Sequence, residues 1–126
     1  MHTEFAYVGI RVKDMQQSID FYTKVLGMRL LGRSRIEKAN GEVASLQSVE
    51  GGFQLELNHY DDGSPYNTAY NVGEGLDHLA FKVDNLDEAL RAADRLGYVT
   101  KLDMKTENSR WAYIEDPNGI WIELFK

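Results

Sequence analysis

A chain of 126 residues with 43% hydrophobic content has the length and the apolar material for one globular domain with a sizeable core. A net charge of −6 argues against nucleic acid or an anionic membrane surface as the main partner, and no apolar run approaches the ~20 residues that span a bilayer. The absence of cysteine excludes a disulfide framework, a thiolate nucleophile and a Cys-type zinc site. Without a basic, apolar leader in Met1-His2-Thr3-Glu4-Phe5, the expected location is the cytoplasm.

Phe5 to Val12 alternates, with Val8, Ile10 and Val12 on one face and Tyr7, Gly9 and Arg11 on the other, which predicts a strand. Asp14 then stands as a helix N-cap with Gln17 in the capping-box position; Met15, Ile19, Tyr22 and Leu26 recur at helical spacing, and Gly27 closes the helix. Met28 to Ile36 and Glu42 to Val49 read as two strands joined by a type I′ turn at Asn40-Gly41. Gly51-Gly52 makes the next turn, Phe53 to Asn58 is a fourth strand, and the polar segment from Asp61 to Asn67 is a linker. The order then repeats. His78 to Val83 predicts a strand, Asp87 to Leu96 a helix with Leu86, Leu90, Ala93 and Leu96 as its stripe, and Tyr98 to Met104 and Arg110 to Ile114 two strands. A turn at Asp116-Pro117-Asn118-Gly119 and a last strand close the chain. The expected fold class is therefore α+β: a single domain over residues 1–126, with paired βαβββ modules at about 1–62 and 74–126 whose curled mixed sheets form a concave site.

The duplication is visible in side chains as well as elements. Phe53-Gln54-Leu55-Glu56-Leu57-Asn58 echoes Ile120-Trp121-Ile122-Glu123-Leu124-Phe125, each setting one carboxylate between aliphatic residues. The run from Val12 to Ile19 resembles that from Val83 to Leu90, and the same offset matches Tyr7 with His78. Strand parity places Val8, Ile10, Leu55, Leu57, Leu79, Phe81, Ile122 and Leu124 towards the helices, and leaves Tyr7, Arg11, Gln54, Glu56, Asn58, His78 and Glu123 on the opposite face. A merely wet sheet face carries the same alternation. The doubled Glu motif favours a site: two carboxylates and an imidazole neutralise a divalent ion such as Ni, Zn, Co, Mn or Fe and leave positions open for substrate.

The stretch Arg11-Val12-Lys13-Asp14-Met15-Gln16-Gln17-Ser18-Ile19-Asp20-Phe21-Tyr22-Thr23-Lys24-Val25-Leu26-Gly27-Met28 closely resembles glyoxalase I, as does Glu115-Asp116-Pro117-Asn118-Gly119 followed by Ile122-Glu123-Leu124. The chain resembles, over nearly its whole length, members of the vicinal oxygen chelate superfamily. The resemblance implies a homodimer with each metal site built from two modules, and a small-molecule substrate. It puts the His, Glu, His, Glu ligand set of glyoxalase I on Tyr7, Glu56, His78 and Glu123, so Tyr7 is a departure; ligation there requires the ion to displace a proton from a phenol of pKa ~10. It also makes Arg11 a glutathione contact, with Tyr7 and Gln54 as further substrate-binding candidates, and sets Tyr60 where the family often has an Asn for glutathione.

The activity implied is isomerisation of the hemithioacetal of methylglyoxal and a thiol such as glutathione to a 2-hydroxyacyl thioester. Glu123 is the leading general base, Glu56 the alternative, and a divalent metal (Ni, Zn, Co or Mn) the cofactor. The competing readings on the same scaffold are a ligand-sequestering protein of the bleomycin-resistance type, which the loss of the first His favours, and a metal-dependent epimerase or dioxygenase.

Overall fold

A computed structural model of the chain describes residues 1–49 and 51–126. The chain divides into two compact units, Met1–Ala69 and Tyr70–Lys126. The first holds β1 (Val8–Arg11), α1 (Met15–Asp20), β2 (Arg29–Ile36), β3 (Gly41–Gln47) and β4 (Gln54–Tyr60). The second holds β5 (His78–Lys82), α2 (Leu86–Arg95), β6 (Leu102–Lys105), β7 (Arg110–Glu115) and β8 (Trp121–Phe125). Each unit is βαβββ. The sheets run β1-β4-β3-β2 and β5-β8-β7-β6, with one parallel pair (β1 with β4, β5 with β8) and antiparallel pairing elsewhere. The fold is α+β with two mixed four-stranded sheets, and both follow one topology. No helix among the described residues is long and apolar enough to cross a membrane.

Alternation builds each core. In β4, Leu55 and Leu57 are buried while Glu56 between them is half-exposed; in β8, Ile122 and Leu124 are buried and Glu123 is half-exposed. α1 covers the buried face of the first sheet with Met15 and Ile19, and starts where Asp14 accepts the Gln17 amide at 2.8 Å, a cap worth about 1 kcal/mol. Its end differs from a plain α-helix. Phe21–Val25 forms a π turn, closed by the Leu26 amide on the Phe21 carbonyl at 3.3 Å. The wider turn lets the adjacent Phe21 and Tyr22 both bury, whereas an unbroken stripe would bury Tyr22 and Leu26. In the second unit Asn85 caps α2 by accepting the Glu88 amide at 3.0 Å, and Leu86, Leu90 and Ala93 point inward.

Several boundaries depart from the sequence expectation. β1 begins at Val8, so Tyr7 precedes the ladder. β4 runs to Tyr60 rather than Asn58. The β2–β3 connection is not a two-residue type I′ turn: Glu37–Ala39 forms a 3₁₀ turn, and Asn40 alone adopts positive φ, at 49°. Gly41 belongs to β3, where a Cβ would stand 2.5 Å from the His59 carbonyl oxygen and 2.8 Å from the Tyr60 ring, so this glycine answers close strand approach rather than turn geometry. Finally, β6 is confined to Leu102–Lys105 because the α2 exit takes the start of the expected strand, with the Tyr98 amide donating back to the Ala93 carbonyl at 3.0 Å.

Candidate functional site

In the first unit Glu56 lies opposite Gly9 on β1 and Ser45 on β3. Its Oε2 accepts from the Asn58 amide at 3.4 Å, and a Cβ on Gly9 would lie 3.4 Å from the same oxygen. That is ordinary contact; the tighter neighbour of such a Cβ would be the Asn58 amide nitrogen, at 3.2 Å. Gln54 shares the face of Glu56 two residues earlier and is exposed. Tyr7, the match to His78, is 52% exposed and lies outside the strand that would have fixed its direction. Arg11 is engaged by a loop of its own unit. Its Nη1 donates to the Tyr66 carbonyl at 3.2 Å and to Thr68 Oγ1 at 2.9 Å, and its Nη2 to the Ala69 carbonyl at 2.9 Å, so it ties the 66–69 segment to β1. Tyr60 stacks obliquely on Tyr66, with ring centroids 5.5 Å apart.

The second unit brings two of the expected residues onto one sheet face. β5 pairs with β8 so that Ala80 faces Glu123, and His78, two residues before Ala80, shares that side. Asp77 Oδ2 is 2.7 Å from His78 Nδ1. A carboxylate accepts from Nδ1–H, and in the neutral ring this contact leaves the lone pair on Nε2. Tyr113 stands opposite Glu123 on β7 and donates its hydroxyl to Glu123 Oε1 at 3.0 Å. The same ring meets His78 edge-on at a centroid distance of 5.7 Å and Trp121 at 5.2 Å. Burial first, and then the bond to Glu123, push the Tyr113 hydroxyl above its usual range, which keeps it a neutral donor at physiological pH.

Two cavities open on this unit. One of about 720 Å³ is lined by Glu123, Trp111, Phe125, Lys105 and Arg110 among others. The other, about 540 Å³, is lined by Tyr113, Trp121, Leu102, Met104 and Asp77, with Trp111 again on its wall. The Tyr113–Glu123 hydrogen bond thus joins a residue of one cavity to a residue of the other.

The donor chemistry suits a borderline divalent ion: an imidazole whose Nδ1 is held by a carboxylate, and a carboxylate with one oxygen already held. Among the described residues no three His, Asp or Glu side chains lie close enough together to hold a metal. The set expected from the sequence draws Glu56 from the first unit, and His78 and Glu123 from the second. The sequence reading missed Asp77 and Tyr113. Tyr113 had a signal, since Trp111, Tyr113 and Glu115 alternate with buried Ala112 and Ile114, but pairing it with Glu123 needs the β7–β8 register.

Residues 4–124 match the model of the Glyoxalase/Bleomycin resistance protein/Dioxygenase superfamily. The chain belongs to this superfamily. Within it, the chain is 36% identical to a lactoylglutathione lyase of Escherichia coli O157:H7, over 93% of this chain and 87% of that protein. It is 34% identical to a lactoylglutathione lyase of Pseudomonas aeruginosa, over 95% and 80%. Among solved structures, a glyoxalase family protein from Enterococcus faecalis superposes with a TM-score of 0.76 at 26% identity, over 98% of this chain and 97% of that one. Within this family fold, His78 and Glu123 share one sheet face of the second βαβββ unit, each in contact with Tyr113.

Proposed function

We propose that the chain is a glyoxalase I-type isomerase, acting on the hemithioacetal of a 2-oxoaldehyde such as methylglyoxal and a thiol such as glutathione. The observation that carries this reading is the second unit's pair: an imidazole and a carboxylate on one sheet face, each held by a neighbour, in a chain whose relatives are named lactoylglutathione lyases. Within a homodimer whose sites are each built from two modules, His78, Glu123 and Glu56 would hold a divalent ion (Ni, Zn, Co or Mn), with Tyr7 a doubtful fourth ligand. When bound, the ion supplies Lewis-acid polarisation of the substrate's neighbouring oxygens.

The chain's own residues move the proton. Glu123 takes it from C1 of the hemithioacetal and returns it to C2, while the C1 hydroxyl proton passes to the C2 oxygen; C1 becomes the thioester carbonyl and C2 carries the hydroxyl, with the same atoms as the substrate. Tyr113 occupies Glu123 Oε1, so the other carboxylate oxygen is the one open to the substrate proton. Glu56 is the alternative base. Gln54 and Tyr7 are substrate-facing candidates in the first unit, whereas the three bonds of Arg11 to the 66–69 segment argue for a supporting role there. Assembly as a homodimer is part of this reading, and Leu30, Leu31 and Ile36, exposed along β2, support it.

Glu123→Gln tests the reading. It keeps the side chain's size and an oxygen for Tyr113 but removes the base, so thioester formation should fall by about 10²–10⁴-fold with thermal stability retained. Undiminished turnover in that variant takes Glu123 out of the mechanism. A wild-type protein that binds the hemithioacetal without converting it, with or without added metal, supports the sequestering alternative.

A further inference from the structure

We propose that Tyr113 is the positioning residue of this site: it fixes Glu123 through its hydroxyl and His78 through its ring. The inference rests on the proposed role of His78 and Glu123 as metal-holding residues. One side chain touches both. Its O–H reaches Glu123 Oε1 at 3.0 Å, and its ring packs edge-on against His78 at 5.7 Å. The β7–β8 register sets Tyr113 directly across from Glu123, and Trp121 leans on the same ring at 5.2 Å, so the phenol has packing on two sides as well as a polar anchor. A free Glu on a strand samples several rotamers. One hydrogen-bonded oxygen selects among them and leaves the other oxygen with a defined direction. Asp77 meets the imidazole at Nδ1, whereas Tyr113 meets both His78 and Glu123. Tyr113 lines the 540 Å³ cavity while Glu123 lines the 720 Å³ one.

Two substitutions separate the two contacts. Tyr113→Phe keeps the ring against His78 and removes the hydroxyl; Tyr113→Leu removes both. Ni²⁺ affinity, measured by chelator competition on the full chain, is the readout that a purely structural role would leave unmoved. Tyr113→Phe should weaken Ni²⁺ binding by about tenfold, and Tyr113→Leu by more, towards the hundredfold seen when partners of metal ligands are lost. In a Glu123→Ala background, Tyr113→Phe should have no further effect, because the hydroxyl acts through Glu123. If Glu123→Ala weakens binding and Tyr113→Phe does not, with both proteins folded, the positioning role is overturned while the proposed function stands. If Glu123→Ala leaves the Ni²⁺ affinity unchanged, or the wild-type chain takes up no Ni²⁺, the metal-holding role fails and the positioning role falls with it.

Discussion

Asp77 is bonded to the site imidazole although its own side chain is 95% exposed. Exposure means that little packing depends on it, while its 2.7 Å contact decides which ring nitrogen of His78 carries the proton. Asp77→Ala should therefore leave the melting temperature nearly unchanged and weaken Ni²⁺ binding by about 10–100-fold, as for other carboxylates behind a ligating His. Chelator competition measures it, and an unchanged affinity would show that His78 needs no fixed tautomer. Residue by residue, the sequence carried the ligand candidates better than their supports. Glu56 and Glu123 announce themselves by repetition between aliphatic neighbours, and His78 by strand parity. Asp77 and Tyr113 gain meaning only from distances, because adjacency in sequence does not say that a carboxylate turns towards the next ring. Arg11 is another such case: the resemblance makes it a glutathione contact, and only distances show that the 66–69 segment also engages its guanidinium.

Among the elements, the hairpin of β6 and β7 is held to the start of α2 by a single cation. Arg110 Nε and Nη2 donate to the two carboxylate oxygens of Asp103 at 3.0 and 2.8 Å, and Nη1 donates to Asp87 at 2.7 Å. The planar fork fits this bidentate contact as an ammonium cannot. The Arg110 guanidinium holds the Asp103 carboxyl below its ordinary value of 3.8. A carboxyl depressed in the folded state adds stability that is fully present above pH 3.8 and is lost as pH falls through the lower folded value. Arg110→Ala should thus lower the melting temperature by a few degrees at pH 7, and the gap from wild type should close in acid, as a thermal melt series across pH would record. A gap that stays constant down to pH 2 would mean that Arg110 acts by packing of its stem. The sequence placed both helices and most strands, since caps and alternation are local signals. It misplaced the β2–β3 connection and the start of β6, where distant or helical partners decide: His59 and Tyr60 crowd Gly41, and the α2 exit claims the Tyr98 amide.

At the scale of the whole molecule, the two units share one topology, and each carries a Glu on the last strand of its module, opposite Gly9 in one and Ala80 in the other. If a single ion draws on both units, binding it must stabilise the chain through both. A ligand that binds only the folded state at one hundred times its dissociation constant adds about 2.7 kcal/mol. For a chain of 126 residues that raises the melting temperature by roughly 5–15 °C. Ni²⁺ should produce such a shift in protein stripped with a chelator, and fresh chelator should reverse it. Glu123→Gln and Glu56→Gln should each remove most of the shift while leaving the metal-free melting temperature near wild type, because both side chains lie on the half-exposed sheet faces rather than in the cores. The Glu56 variant is the more informative, since Glu56 alone among the three comes from the first unit. A full Ni²⁺ shift in Glu56→Gln, with the shift lost in Glu123→Gln, would confine the ion to the second unit and separate the duplicated carboxylates into two unrelated roles.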